Sequence, residues 1–137
     1  MRLDHVVLWT SDPRASMDFY TRVVGLAPVR FEEFEAGEAP FPSVRVSDDS
    51  IIDLMPRQGA APTESMTKVA GSAGHPVNHV CIAMSKAEYD ELDRRLQAEH
   101  IDTSARLNHS FGAQGWAPQG YYFPDPDGNV IEARYYQ

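Results

Sequence analysis

Two histidines and two carboxylates stand in matching surroundings along this chain. Leu3-Asp4-His5-Val6-Val7-Leu8 opens one half, and Val77-Asn78-His79-Val80-Cys81-Ile82 opens another 74 residues later (79 − 5). About fifty residues after each opening comes an apolar run with a central acid, Ile51-Ile52-Asp53-Leu54-Met55 and then Val130-Ile131-Glu132-Ala133-Arg134. Two imidazoles and two carboxylates brought to one point form a donor set suited to a divalent transition metal. Singly, each residue has a plainer reading: a strand His is more often a hydrogen-bonded structural group, and a lone strand acid usually faces water. Placing all four symmetrically weighs against those readings, because two carboxylates sharing a concave face without a cation are costly to bury.

The elements that must position these residues follow from periodicity. Residues 3–10 alternate as a strand, with Val6 and Leu8 on one face and His5, Val7 and Trp9 on the other. Ser11 or Asp12 caps a helix with Pro13 in its first turn. Met17, Phe19, Tyr20, Val23 and Val24 form its apolar stripe, and Gly25 ends it. Strands are expected at 28–34, 43–48 and 50–55, with Asp48-Asp49 as a hairpin turn. Residues 57–74 are rich in Gly, Ala, Pro, Ser and Thr and read as a linker or mobile loop.

A second set follows in the same order. It has a strand at 77–84, then a helix opened by the capping box Ser85-Lys86-Ala87-Glu88 with Tyr89, Leu92, Leu96 and His100 on one stripe. A strand near 102–107 and a loop over 108–118 come next. Strands at 119–123 and 130–136 are joined by Pro124-Asp125-Pro126-Asp127-Gly128-Asn129, a strong turn signal. Both halves therefore read β-α-β-β-β. Parity sets His5, His79, Asp53 and Glu132 each opposite the apolar positions of its own strand. Val7, Trp9, Met55, Cys81 and Ala83 share the ligand parity and are expected to line an apolar pocket. Phe111, Trp116, Tyr121 and Tyr122 are expected to close it. Of Arg30, Arg45, Arg57, Arg106 and Arg134, parity favours Arg134 for holding an anionic substrate group.

Composition narrows the function classes. The 137 residues suit one compact domain, and a formal charge of −8 without a dense basic run argues against nucleic acid. Only Lys68 and Lys86 are lysines. The single Cys81 excludes an internal disulfide and reads as a small buried strand residue. No leader or membrane-length apolar stretch is read, so a reduced cytoplasmic setting is expected.

With these residues in view, the chain resembles the vicinal oxygen chelate superfamily: glyoxalase I, fosfomycin-resistance thiol transferases, extradiol dioxygenases and bleomycin-resistance proteins. The resemblance is carried by the His5 opening, by Ser16-Met17-Asp18-Phe19-Tyr20 leading to Gly25-Leu26, and by Asn78-His79-Val80. The most specific carrier is Tyr122-Phe123-Pro124-Asp125-Pro126-Asp127-Gly128-Asn129-Val130-Ile131-Glu132. It implies an α+β fold, two βαβββ modules forming a curled mixed sheet around a shared cavity. The whole chain would be one domain, with modules at 1–56 and 75–137 and the linker 57–74 between them.

The resemblance also implies a site. His5, His79 and Glu132 match its common metal set, and Asp53 falls where glyoxalase-type members place a further ligand. The implied cofactor is one divalent ion, Zn, Ni, Co, Mn or Fe. Such an ion would bind neighbouring oxygens of a small substrate, with Glu132 or Asp53 as the base and Trp9, Met55, Trp116 and Arg134 as substrate contacts. Tyr122 lies where extradiol dioxygenases tend to carry an active-site Tyr, but the supporting His they need has only His109 as a candidate, at a longer spacing. A lyase or isomerase is thus preferred to a dioxygenase, and a metal-free ligand-binding protein is the rival. A homodimer with no membrane partner is expected.

Overall fold

Asp12 fixes where the first helix begins. Its Oδ1 accepts from the backbone N–H of Arg14 at 3.0 Å and of Ala15 at 3.1 Å, and Pro13 follows in the first turn. In the computed structural model, which describes residues 5–62, 77, 79–112 and 114–137, this helix joins strand β1 (His5–Thr10) to the rest of the first unit. Helix α1 (Pro13–Asp18) runs on as π-helical turns over Phe19–Val24 and ends at Gly25, whose φ of 91° needs a residue without a Cβ. Met17, Phe19, Tyr20, Val23 and Val24 are all buried, as their spacing predicts.

Strands β2 (Ala27–Val29), β3 (Ser43–Ser47) and β4 (Ser50–Pro56) complete the first sheet, in the order β1-β4-β3-β2. Strand β1 pairs with β4 in parallel, and the other pairings are antiparallel. The turn at Asp48-Asp49 is where the sequence puts it. The expected strand at 28–34 is not: it stops at Val29, and helix α2 (Phe31–Glu35) follows. Arg30 takes a left-handed φ of 57°, which breaks the strand, and Phe31 and Phe34 then stack one helical turn apart at 6.5 Å. Glu32 and Glu33 sit in the first turn, where the helix dipole favours them.

The second unit repeats the plan. Strand β5 (Val80–Ala83), helix α3 (Lys86–Ala98) and strands β6 (Leu107–Gly112), β7 (Gly115–Pro124) and β8 (Val130–Tyr135) give a sheet ordered β5-β8-β7-β6. Again the first strand pairs in parallel with the last. The capping box is complete: Glu88 N–H donates to Ser85 Oγ at 3.3 Å, and Ser85 N–H donates to Glu88 Oε2 at 2.8 Å. Tyr89, Leu92 and Leu96 are buried. His100 leaves the stripe, because the helix ends before it and its φ is 56°.

The expected strand at 102–107 and loop at 108–118 are replaced by a hairpin of β6 and β7, paired from Leu107↔Gly120 to Gly112↔Gly115. The Gly residues that gave the segment its loop texture are gathered at the turn, and the flanking residues pair as strands. In the first unit Leu8, Trp9, Val44, Ile52 and Leu54 are buried strand residues of the core, and in the second Ile82, Ala117, Tyr121, Phe123, Ile131 and Ala133 are. Contacts divide the chain into two compact units, Met1–Asn78 and His79–Gln137. Of the expected linker, Arg57–Gly59 forms a 3-10 turn, while residues 63–74 lie outside the described residues, as do Leu3, Asp4 and Asn78 of the repeated openings. Among the described residues no helix is long and apolar enough to cross a membrane.

The β7–β8 turn is set by one buried side chain. Asp125 Oδ1 accepts from the N–H of Asp127 at 2.9 Å and of Asn129 at 2.8 Å, and its Oδ2 accepts from Asn129 Nδ2 at 2.8 Å. Gly128 supplies the φ of 80°. Asp125→Ala should therefore cost about 2–3 kcal/mol, read as a lower urea midpoint with an unchanged slope. A midpoint within error of the parent protein would show that the turn forms without it.

Candidate functional site

The two parallel pairings share one register. In the first unit Val7 stands beside Asp53, with His5 two residues earlier on the same face. In the second Cys81 stands beside Glu132, with His79 two residues earlier. Shifting β1 by 74 (81 − 7) and β4 by 79 (132 − 53) reproduces the β5–β8 pairing residue for residue. The antiparallel neighbours obey the same shift of 79: Ser43 faces Asp53 as Tyr122 faces Glu132. Each unit thus sets one imidazole diagonally across from one carboxylate, on the face that parity assigns.

In the second unit the pair is in contact. His79 Nε2 lies 3.2 Å from Glu132 Oε2. Glu132 is only 1% exposed, and its Oε1 accepts from Arg134 Nε at 3.0 Å and also from Arg134 Nη2. The His79 and Tyr122 rings meet edge to face at 5.2 Å. Burial, and then the Glu132 charge, hold the Tyr122 phenol above its ordinary value, so it remains a hydrogen-bond donor. Cys81 corrects an expectation: it is an exposed residue, not a buried one. Its thiol is nonetheless pushed up to about 11, first by desolvation of the sulfur and then by the Glu132 charge.

In the first unit Asp53 is buried and its Oδ1 accepts from Ser43 Oγ at 2.6 Å, while His5 is exposed. Trp9 pairs with Met55 on the same face; the Trp9 ring is buried and Met55 is half-buried. Ser43 was missed in the sequence. A hairpin centred on Asp48-Asp49 points to Val44 opposite Asp53, and the register shift between Arg45 and Ser47 moves the partner to Ser43.

The remaining candidates fall elsewhere. Tyr121 is buried on the helix side, 4.8 Å from the Tyr89 ring, because neighbours in a strand face opposite ways and Tyr122 takes the other side. Trp116 sits in β7 rather than a loop, 57% exposed, with its ring flush on His109 at 4.5 Å. Arg106 pairs with Asp93 at 2.6 Å and lies over the Tyr121 ring. The Arg134 guanidinium, expected to meet substrate, is buried against Glu132 and Tyr136.

The donors suit a metal in chemistry and spacing. An imidazole nitrogen and a carboxylate oxygen 3.2 Å apart match neighbouring ligands on one ion, which at bonds of ~2.1 Å lie roughly 3.0–3.4 Å from each other. Among the described residues no group of three or more His, Cys, Asp or Glu is gathered for a metal; the close His–carboxylate contact is that of His79 with Glu132 in the second unit.

Comparisons with known proteins agree with this plan. The model of the Glyoxalase/Bleomycin resistance protein/Dioxygenase superfamily matches residues 2–133. A glyoxalase/dioxygenase from Nostoc punctiforme is similar in structure, with a TM-score of 0.69 at 19% identity over 99% of this chain and 91% of that one. A lactoylglutathione lyase from Agrobacterium tumefaciens gives 0.65 at 22% over 98% and 92%, and the oxidase ChaP-H1 gives 0.60 at 24% over 98% and 95%. These likenesses show the fold. A search of curated proteins finds no match.

The Cys81 environment makes a direct prediction. A thiol raised to about 11 is almost wholly protonated near neutral pH, and only the thiolate alkylates. Iodoacetamide labelling of Cys81 should be slow at pH 8 and climb toward a midpoint near 11, and Glu132→Gln should move that midpoint down. A midpoint at the ordinary thiol value in the parent protein would contradict this picture of the site.

Proposed function

Because this chain belongs to the Glyoxalase/Bleomycin resistance protein/Dioxygenase superfamily, we propose that it is a divalent-metal-dependent enzyme acting on a small oxygenated molecule, in the manner of a lyase or isomerase. The observation that supports the reading is the repeated register, which sets His5 diagonally from Asp53 in the first unit, together with the 3.2 Å contact of His79 with Glu132 in the second. The two pairs together would hold one ion, Zn, Ni, Co, Mn or Fe. When bound, that ion would supply Lewis-acid stabilisation of negative charge on neighbouring substrate oxygens.

The chain's own residues divide the remaining work. Both oxygens of Glu132 are engaged, Oε1 by Arg134 and Oε2 by His79. Among the described residues Asp53 has one hydrogen bond, from Ser43 Oγ to Oδ1. Asp53 is therefore the better candidate to accept a proton from carbon beside a carbonyl, and Glu132 the better ligand. Tyr122 keeps its proton and is suited to donate a hydrogen bond to a substrate oxygen. Trp9 and Met55 share the Asp53 face and would offer apolar contact. The dioxygenase reading loses support because His109, its candidate supporting residue, is stacked on Trp116. A metal-free binding protein is the second reading, favoured by the ion pair that already balances Glu132. A homodimer is part of the proposal, with the pairs joined either within one chain or between two.

Elemental analysis and titration with Ni, Co, Zn, Mn and Fe test the reading. The expected result is one ion per chain. His5→Ala and His79→Ala should each lower affinity by more than the roughly 10–100-fold usual for losing an outer hydrogen-bond partner. A protein that takes up none of these ions is a binder. If the pairs are exchanged between subunits, mixing the two variants should restore some intact sites.

A further inference from the structure

A carboxylate buried in the middle of a sheet needs a counter-charge whether or not a ligand is present. Glu132 is 1% exposed and Arg134 6%. Arg134 grips Oε1 of Glu132 with two donors: Nε donates to it at 3.0 Å, and Nη2 donates to the same atom. Its Nη1 turns away to the Tyr136 hydroxyl at 3.4 Å. The other oxygen, Oε2, faces His79 Nε2 at 3.2 Å.

Room for this arrangement comes from Gly120, directly opposite Arg134. A Cβ there would lie 3.1 Å from the Ala133 carbonyl oxygen, 3.4 Å from Glu132 Oε1 and 3.5 Å from Arg134 Cβ. The first unit has no counterpart. By the shared shift of 79, the position of Arg134 is taken there by Met55 (134 − 79), and Asp53 is held by the neutral hydroxyl of Ser43.

We propose that Arg134 is a positioning residue, the resident counter-cation of Glu132, which keeps this half-site assembled while empty and leaves Oε2 turned to His79 rather than to the guanidinium. The inference deepens the proposed function, and only its metal arm rests on that reading. The charges of Glu132 and Arg134 cancel, so the second unit supplies donors without net negative charge. The guanidinium also repels an incoming cation. Affinity is given up in return for an empty site that is already in shape. This sign is unlike that of a ligand or of a merely structural residue: removing Arg134 should weaken the empty protein and strengthen metal binding.

The test uses the full chain and Co²⁺ as probe, with thermal melting in chelator and competition titration. Arg134→Met imports the residue of the first unit. It should melt roughly 10 °C below the parent without metal, because Glu132 is left buried and unpaired. It should bind Co²⁺ at least about tenfold more tightly. Arg134→Lys keeps the charge and should stay near the parent in both readouts. In the Glu132→Gln/Arg134→Met double variant the metal-free melting point should recover, while Co²⁺ affinity falls below that of the parent.

A double variant as unstable as Arg134→Met would make Arg134 a packing residue and overturn the proposal, even if the single variant does not fold. Unchanged or weaker Co²⁺ binding by a folded Arg134→Met would overturn it too. A parent protein that takes up no Co²⁺ sinks the functional reading instead, and the metal-free melting of single and double variants still decides whether Arg134 balances Glu132.

Discussion

Parallel strands cannot be joined by a tight turn, so a unit that pairs its first strand in parallel with its last must carry a helix and two strands around the sheet between them. Both halves of this chain do so, in β1–β4 and in β5–β8. The pairing lays a His at the start of one strand (His5) or just before it (His79) close to an acid-bearing strand, although the two are separated by about fifty residues of sequence. Its register then decides which side chains share a face. A slip of one residue in either pairing would turn the imidazole or the carboxylate to the helix side and dissolve the pair.

Burial of the acids makes the rest of each sheet answer to them. Glu132 and Asp53 are both nearly inaccessible, and each is met by the residue opposite it and by a charge or hydroxyl that takes one oxygen. The two solutions differ. A neutral hydroxyl leaves Asp53 with its charge, whereas a guanidinium cancels that of Glu132. The duplicated framework therefore carries chemically unequal halves, and the proposed division of tasks between Glu132 and Asp53 rests on that inequality.

Much of this was legible in the sequence, for physical reasons that can be traced. The Asp12 and Ser85 caps, the Gly25 stop and the Asp125 turn were readable because each acts within a few residues of chain. The facing of His5, Asp53, His79 and Glu132 was readable because strand parity is strictly twofold. Helix α2 was missed because it depends on a left-handed Arg30, which no residue type announces. The β6–β7 hairpin was hidden by its own turn glycines. Ser43 was missed by one position, through a bulge that parity cannot foresee. Arg134 was placed on the correct face, but nothing in the sequence told whether its partner was a substrate or the neighbouring Glu132.

X-ray absorption at the metal edge of Ni- or Co-loaded protein tests the central claim most directly, because it counts imidazoles bound to the ion itself. One His from each unit predicts two imidazoles in the scattering pattern, with the remaining nitrogen and oxygen donors at about 2.1 Å. That count should fall to one in His5→Ala and in His79→Ala alike. A pattern with a single imidazole in the parent protein, or one unmoved by either substitution, would contradict the account.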